Sequence, residues 1–73
     1  MNTAFKRHQA VTILRIPDLD RVEWYEKEQP LTKGMQGTIN ILLPNGQYHV
    51  EIKDKAGNIL CYAPFNEEDL QAT

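Results

Sequence analysis

Apolar residues in this chain fall in short runs separated by turn-forming residues. The run Ala10-Val-Thr-Ile-Leu-Arg-Ile16 is rich in β-branched residues and too short for a stable helix, and it stops at Pro17-Asp18, a turn opener. It predicts a first strand. Two further runs, TINILL over 38–43 and YHVEIK over 48–53, flank the turn Pro44-Asn45-Gly46-Gln47 and predict a hairpin. The segment Asp54-Lys55-Ala56-Gly57-Asn58 is a second hairpin connection, and ILCYAPF over 59–65 predicts a third antiparallel neighbour.

Between the first strand and the hairpin, residues 17–33 show no clean period and predict a long loop, with a helical turn allowed over Leu19–Lys27. Gly34 and Gly37, three apart at the start of a strand-like run, suit a positive-φ corner followed by a close backbone approach. Asn66 followed by Glu67, Glu68 and Asp69 predicts a capped helical or 3₁₀ turn, with Leu70 plugging the end of the core. Residues 1–9 read as a flexible polar arm.

The hairpin register follows from its turn. A two- or four-residue loop sets Leu43 against Tyr48, Ile41 against Val50 and Ile39 against Ile52, so apolar meets apolar throughout. A three-residue loop would set Ile41 against His49 and mix the faces, because a one-residue slip inverts every side chain. The four-residue loop is expected, with Pro44 opening a type I turn. A sheet of so few strands must curl to bury its apolar face, which predicts a small, partly open barrel of about five strands.

Composition narrows the function classes. Seventy-three residues make one small domain, 1–73, with little material to spare for a deep cleft. Cys61 is the only cysteine, so no internal disulfide forms, and with two histidines the chain lacks metal-ligand spacing. No metal and no cofactor is expected. No run approaches a membrane span, and a reducing, cytoplasmic location is expected.

The net charge is −2, with five acids between Pro17 and Pro30 and three more at Glu67, Glu68 and Asp69. Nucleic-acid binding through Lys6, Arg7, Lys33, Lys53 and Lys55, with Tyr48 or Tyr62 stacking on bases, is the disfavoured alternative. Serine is absent, Cys61 sits mid-strand among apolar neighbours, and His8 and His49 are expected at the surface. Catalysis is not expected. The sharpest candidate site is the acidic aromatic loop: Trp24 and Tyr25 with Glu23, Glu26 and Glu28, a composition suited to gripping a basic or proline-rich partner protein. Either aromatic could instead cover the core. A second patch, Leu42, Tyr62 and Phe65, would serve self-association into a homo-oligomer.

The strand Val11–Leu14, the corner Lys33-Gly34-x-x-Gly37-Thr38-Ile39, the strand Tyr48-x-Val50-Glu51-Ile52, the turn Asp54-x-x-Gly57 and the closing Asp69-Leu70 resemble an uncharacterised bacterial family of very small SH3-like barrels. More distantly, the pattern is similar to the barrel of nitrile hydratase β subunits and to ribosome-associated small barrels. The resemblance covers Gln9 to Leu70 and implies an SH3-like barrel without an established activity. The chain departs from that pattern in its acidic aromatic stretch, Asp20–Glu28, and in Asn40 and Leu42, the latter expected to face outward.

Overall fold

The structure, a computed structural model, describes residues 4–73. It is all-β: β1 (Ala10–Ile13), β2 (Glu23–Trp24), β3 (Gln36–Leu42), β4 (Tyr48–Lys53), β5 (Ile59–Phe65) and β6 (Leu70–Ala72), with 3₁₀ turns at Leu19–Arg21 and Glu67–Asp69. The strands form one antiparallel sheet in the order β2-β5-β4-β3-β1-β6. The sheet curls without closing, leaving β2 and β6 as edges, so the architecture is a small partly open barrel.

Curling puts one face of every long strand into a single core. In β4 the strict alternation of YHVEIK appears directly as burial of Tyr48, Val50 and Ile52, while His49, Glu51 and Lys53 face out. Val11 and Ile13 from β1, Ile39 from β3, and Cys61, Ala63 and Phe65 from β5 complete the centre. Leu70 plugs one end, as its position after the terminal turn predicts. Phe5 lies in the segment assigned to a polar arm, yet it is 8% exposed and packs edge-on against Tyr48, ring centroids 5.3 Å apart. His8 and Gln9 of the same segment are tied to β3, the His8 N–H donating to the Ile39 carbonyl at 2.7 Å and the Ile39 N–H to the Gln9 carbonyl at 2.9 Å, while residues 1–3 lie outside the described residues.

The hairpin register differs from the expected one. The Leu43 N–H donates to the Gln47 carbonyl at 2.7 Å, the Gly46 N–H donates to Leu43 at 3.0 Å, and Gly46 has φ 89°. This is a three-residue loop, Pro44–Gly46, closed by a glycine in the left-handed region. It places Leu42 opposite Tyr48 and Ile41 opposite His49, the pairing expected to mix the faces. A β-bulge at Asn40 then restores the pattern: Ile39 pairs with Val50, and Gly37 with Ile52. Ile39 and Ile52 share the core as diagonal neighbours, not as a direct pair.

Both glycines of the corner meet their expected requirements. Gly34 has φ 91°, and at Gly37 a Cβ would lie 2.7 Å from Val50 Cγ1 and 3.0 Å from the Glu51 carbonyl oxygen. The second hairpin turns at Asp54–Asn58, with Gly57 at φ 88°. Asp54 organises it by accepting from the N–H groups of Ala56 and Asn58, each at 2.9 Å, and from Asn58 Nδ2 at 3.2 Å. These bonds, the Asn58 N–H first among them, hold the Asp54 carboxyl below its ordinary range. At the chain end the expected side-chain cap by Asn66 is absent; its Oδ1 instead accepts from Gln47 Nε2 at 3.2 Å. The 3₁₀ turn there leads into a sixth strand, β6, that no local pattern predicts.

Candidate functional site

The long loop is held down in the middle by β2. Glu23 pairs with Tyr62 and Trp24 with Cys61, and the Tyr25 N–H donates to the Leu60 carbonyl at 3.0 Å. Alternation along this short strand decides the fate of the two aromatics. Trp24 turns inward and packs on the core together with Val22, Leu31 and Met35. Tyr25 turns outward and is 61% exposed. Glu23, Glu26 and Glu28 are exposed on the same loop.

Two shallow grooves flank this loop. On one side Ile16, Leu19, Trp24, Pro30 and Leu31 form an apolar groove rimmed by Glu28. On the other, Tyr25 and Glu26 face Asn58, Ile59 and Leu60 across the end of the second hairpin. A carboxylate thus edges each groove, Glu28 the apolar one and Glu26 the more polar one.

Glu23 belongs also to a side-chain network on the outer face of the sheet. Its Oε1 lies 3.5 Å from His49 Nε2, and His49 stacks on Tyr62 with planes 5° apart and centroids at 5.4 Å. Asn40 Nδ2 lies 2.9 Å from His49 Nδ1, and the tautomer that lets Asn40 donate leaves the ring proton on Nε2, toward Glu23. The Tyr62 hydroxyl donates to Glu51 Oε2 at 3.0 Å, and Lys53 Nζ lies 3.4 Å from Glu51 Oε1. The bond to Glu51 is the main cause that pushes the Tyr62 hydroxyl above its usual range. His49 is therefore no free surface histidine: its side chain is only 18% exposed. The bulge at Asn40 and the pairing of β2 with β5 add Asn40 and Glu23 to the β4–β5 contacts of His49, Glu51 and Tyr62, so neither neighbouring residues nor periodicity could signal the whole network.

The remaining expected sites are redistributed. The patch of Leu42, Tyr62 and Phe65 does not exist as a unit, because Phe65 is buried in the core. Leu42 stays exposed but shares the face of buried Tyr48, and the bulge turns Ile41 outward instead, beside His49 and Pro64. Tyr48 is unavailable for base stacking: it is buried, and its hydroxyl accepts from the N–H groups of Ala4 at 3.1 Å and Phe5 at 3.4 Å. Lys6 and Arg7 border a groove of their own with His8, while Lys33, Lys53 and Lys55 line another. Burial pushes the Cys61 thiol up to about 11, so it is protonated and unreactive at neutral pH. Glu67 and Glu68 point to solvent, whereas Asp69 is turned toward Arg15, 3.4 Å from its Nε. Among the described residues no three histidine, cysteine or acidic side chains are grouped to hold a metal, and no helix is long and apolar enough to cross a membrane.

Fold and site together define a small, partly open β barrel with an acidic aromatic loop strapped to one sheet edge. No family model, curated protein or solved structure matches the chain.

Proposed function

We propose that this protein is a non-catalytic, cytoplasmic binding module that engages a basic or proline-rich segment of a partner protein through the loop Asp20–Glu28. The observation that carries this reading is the division of labour at residues 24 and 25. Trp24 is half-buried against the core and shows its remaining edge in the apolar groove with Glu28, while Tyr25 stands 61% exposed beside Glu26. A rigid aromatic held on a paired strand loses little entropy on binding, and surrounding carboxylates favour lysine or arginine. The apolar groove of Ile16, Leu19, Trp24, Pro30 and Leu31 offers a proline-rich segment the shallow aromatic-lined surface it needs. The resemblance to SH3-like barrels supports the same reading.

The test is a titration of isotope-labelled protein with a synthetic proline-rich peptide carrying two arginines, followed by amide shifts. Shifts are expected to gather on residues 19–31 and 58–60, and Tyr25→Ala is expected to weaken binding about tenfold, as loss of an interface anchor does. Shifts elsewhere, or equal affinity in a folded Tyr25→Ala protein, would overturn the reading.

A further inference from the structure

We propose that the groove between the Thr32–Gln36 corner and the start of the second hairpin turn binds a small multivalent phosphate anion. Its lining includes Lys33, Lys53 and Lys55, brought together although the first is distant in sequence from the other two. The pairing of Gln36 with Lys53 across β3 and β4 is what joins the corner to the turn. The groove has a volume of about 550 Å³, within the size range of small-molecule sites.

The groove gathers three lysines, against the one lysine and one arginine of the groove at Lys6 and Arg7. Its three lysines and Asp54 sum to +2, in a chain whose net charge is −2, so all the other residues together carry −4. Asp54 does little to neutralise the lysines, because its carboxylate is taken up by the backbone and side chain of its own turn. Of the three, Lys53 has an ion-pair partner, Glu51 at 3.4 Å, and Lys33 and Lys55 have none among the described residues. Like charges gathered in one concavity raise the local potential and concentrate anions. The backbone adds access. At Gly34 nothing lies within 4 Å of the position a Cβ would take, so the chain is bare where the groove opens. Three separated ammonium groups suit an anion with several charged oxygens better than a single carboxylate.

The phosphate could belong to a free nucleotide or to a nucleic-acid backbone, and the experiment separates the two. The labelled 73-residue chain is titrated at low salt with pyrophosphate, ATP, adenosine and a six-nucleotide single-stranded RNA. Pyrophosphate is expected to shift residues 33–36 and 53–55 saturably, and adenosine to leave them unchanged. Whichever of ATP and the RNA saturates those residues at the lower concentration identifies the source. The double variant Lys33→Gln/Lys55→Gln is expected to weaken pyrophosphate about tenfold, and Lys6→Gln/Arg7→Gln, with the same change in net charge, less than about twofold. No saturable shift at the groove, an equal loss in both double variants, or an adenosine response at the same residues would overturn the proposal. All four substituted side chains are exposed, and an unchanged amide spectrum outside the groove confirms folding.

Discussion

Ile52→Ala is expected to lower stability by about 3–4 kcal/mol, the usual cost of removing a buried isoleucine's outer carbons where the surroundings cannot collapse into the space. Ile52 is fully buried on the central strand β4, with Gly37 opposite on one side and Cys61 on the other. Neither neighbour can fill the gap: glycine has no side chain, and Cys61 is anchored within the β4–β5 ladder. A chain of this length has a total stability of roughly 4–10 kcal/mol, so this single change removes a large share of it. Urea unfolding should report it as a midpoint lower by about 2–4 M at an unchanged slope of about 1–1.5 kcal/mol/M. Ile52→Val should cost only about 1 kcal/mol. A loss below about 1 kcal/mol for alanine would mean that Ile52 is not in the centre of the core.

Gly37→Ala is expected to cost about 2–3 kcal/mol for the opposite reason: too much material where there is no room. The added methyl would meet Val50 Cγ1 at 2.7 Å and the Glu51 carbonyl oxygen at 3.0 Å, and the second contact is backbone, which cannot rotate away. Relief requires β3 and β4 to separate, which strains the hairpin on which β1 and β5 are both built. Thermal unfolding should shift down by roughly 10–20 °C for a domain of this size. Gly46→Ala is the control. That glycine has φ 89° with nothing near its missing Cβ, so only backbone strain of about 1 kcal/mol applies. Equal losses at the two positions would show that crowding at Gly37 is not what matters.

Four strands were legible in the sequence because their residues carry the information locally. The alternation of Tyr48, Val50 and Ile52 with His49, Glu51 and Lys53, and the β-branched run from Val11 to Ile13, need no distant partner to be read. Strands β2 and β6 were not legible. They are two and three residues long, and they exist because Glu23 and Trp24 find the free edge of β5 and Leu70–Ala72 that of β1. Pairing of this kind is a tertiary event with no periodic signature. The bulge was hidden for another reason: Thr38-Ile39-Asn40-Ile41 alternates perfectly, so the run conceals its extra residue. The signal lay in the turn, where Gly46 after Pro44-Asn45 selects a three-residue loop and thereby demands a correction further along β3.

The same limit applies to the candidate site. That Trp24 and Tyr25 must point different ways follows from their adjacency. Which one is buried depends on Trp24 lying opposite Cys61, a fact of the β2–β5 pairing. In the network, Glu51, His49 and Tyr62 meet through the β4–β5 pairing, Glu23 is added by the β2–β5 pairing, and Asn40 joins because the bulge places it next to His49. Errors in register therefore become errors in surface chemistry. Leu42 is exposed as expected but on the face of Tyr48, Ile41 joins it at the surface, and the expected surface histidine becomes the centre of a stacked, hydrogen-bonded cluster.

The placement of Asn40, Ile41 and Leu42 against β4 rests on the bulge at Asn40, and cross-strand nuclear Overhauser contacts on isotope-labelled protein test it most directly. Backbone contacts should link Ile39 with Val50 and Ile41 with His49, with Leu42 facing Tyr48. Contacts linking Ile39 with Ile52, Ile41 with Val50 and Leu43 with Tyr48 would contradict the account, since they would turn Ile41 inward and take His49 away from Asn40.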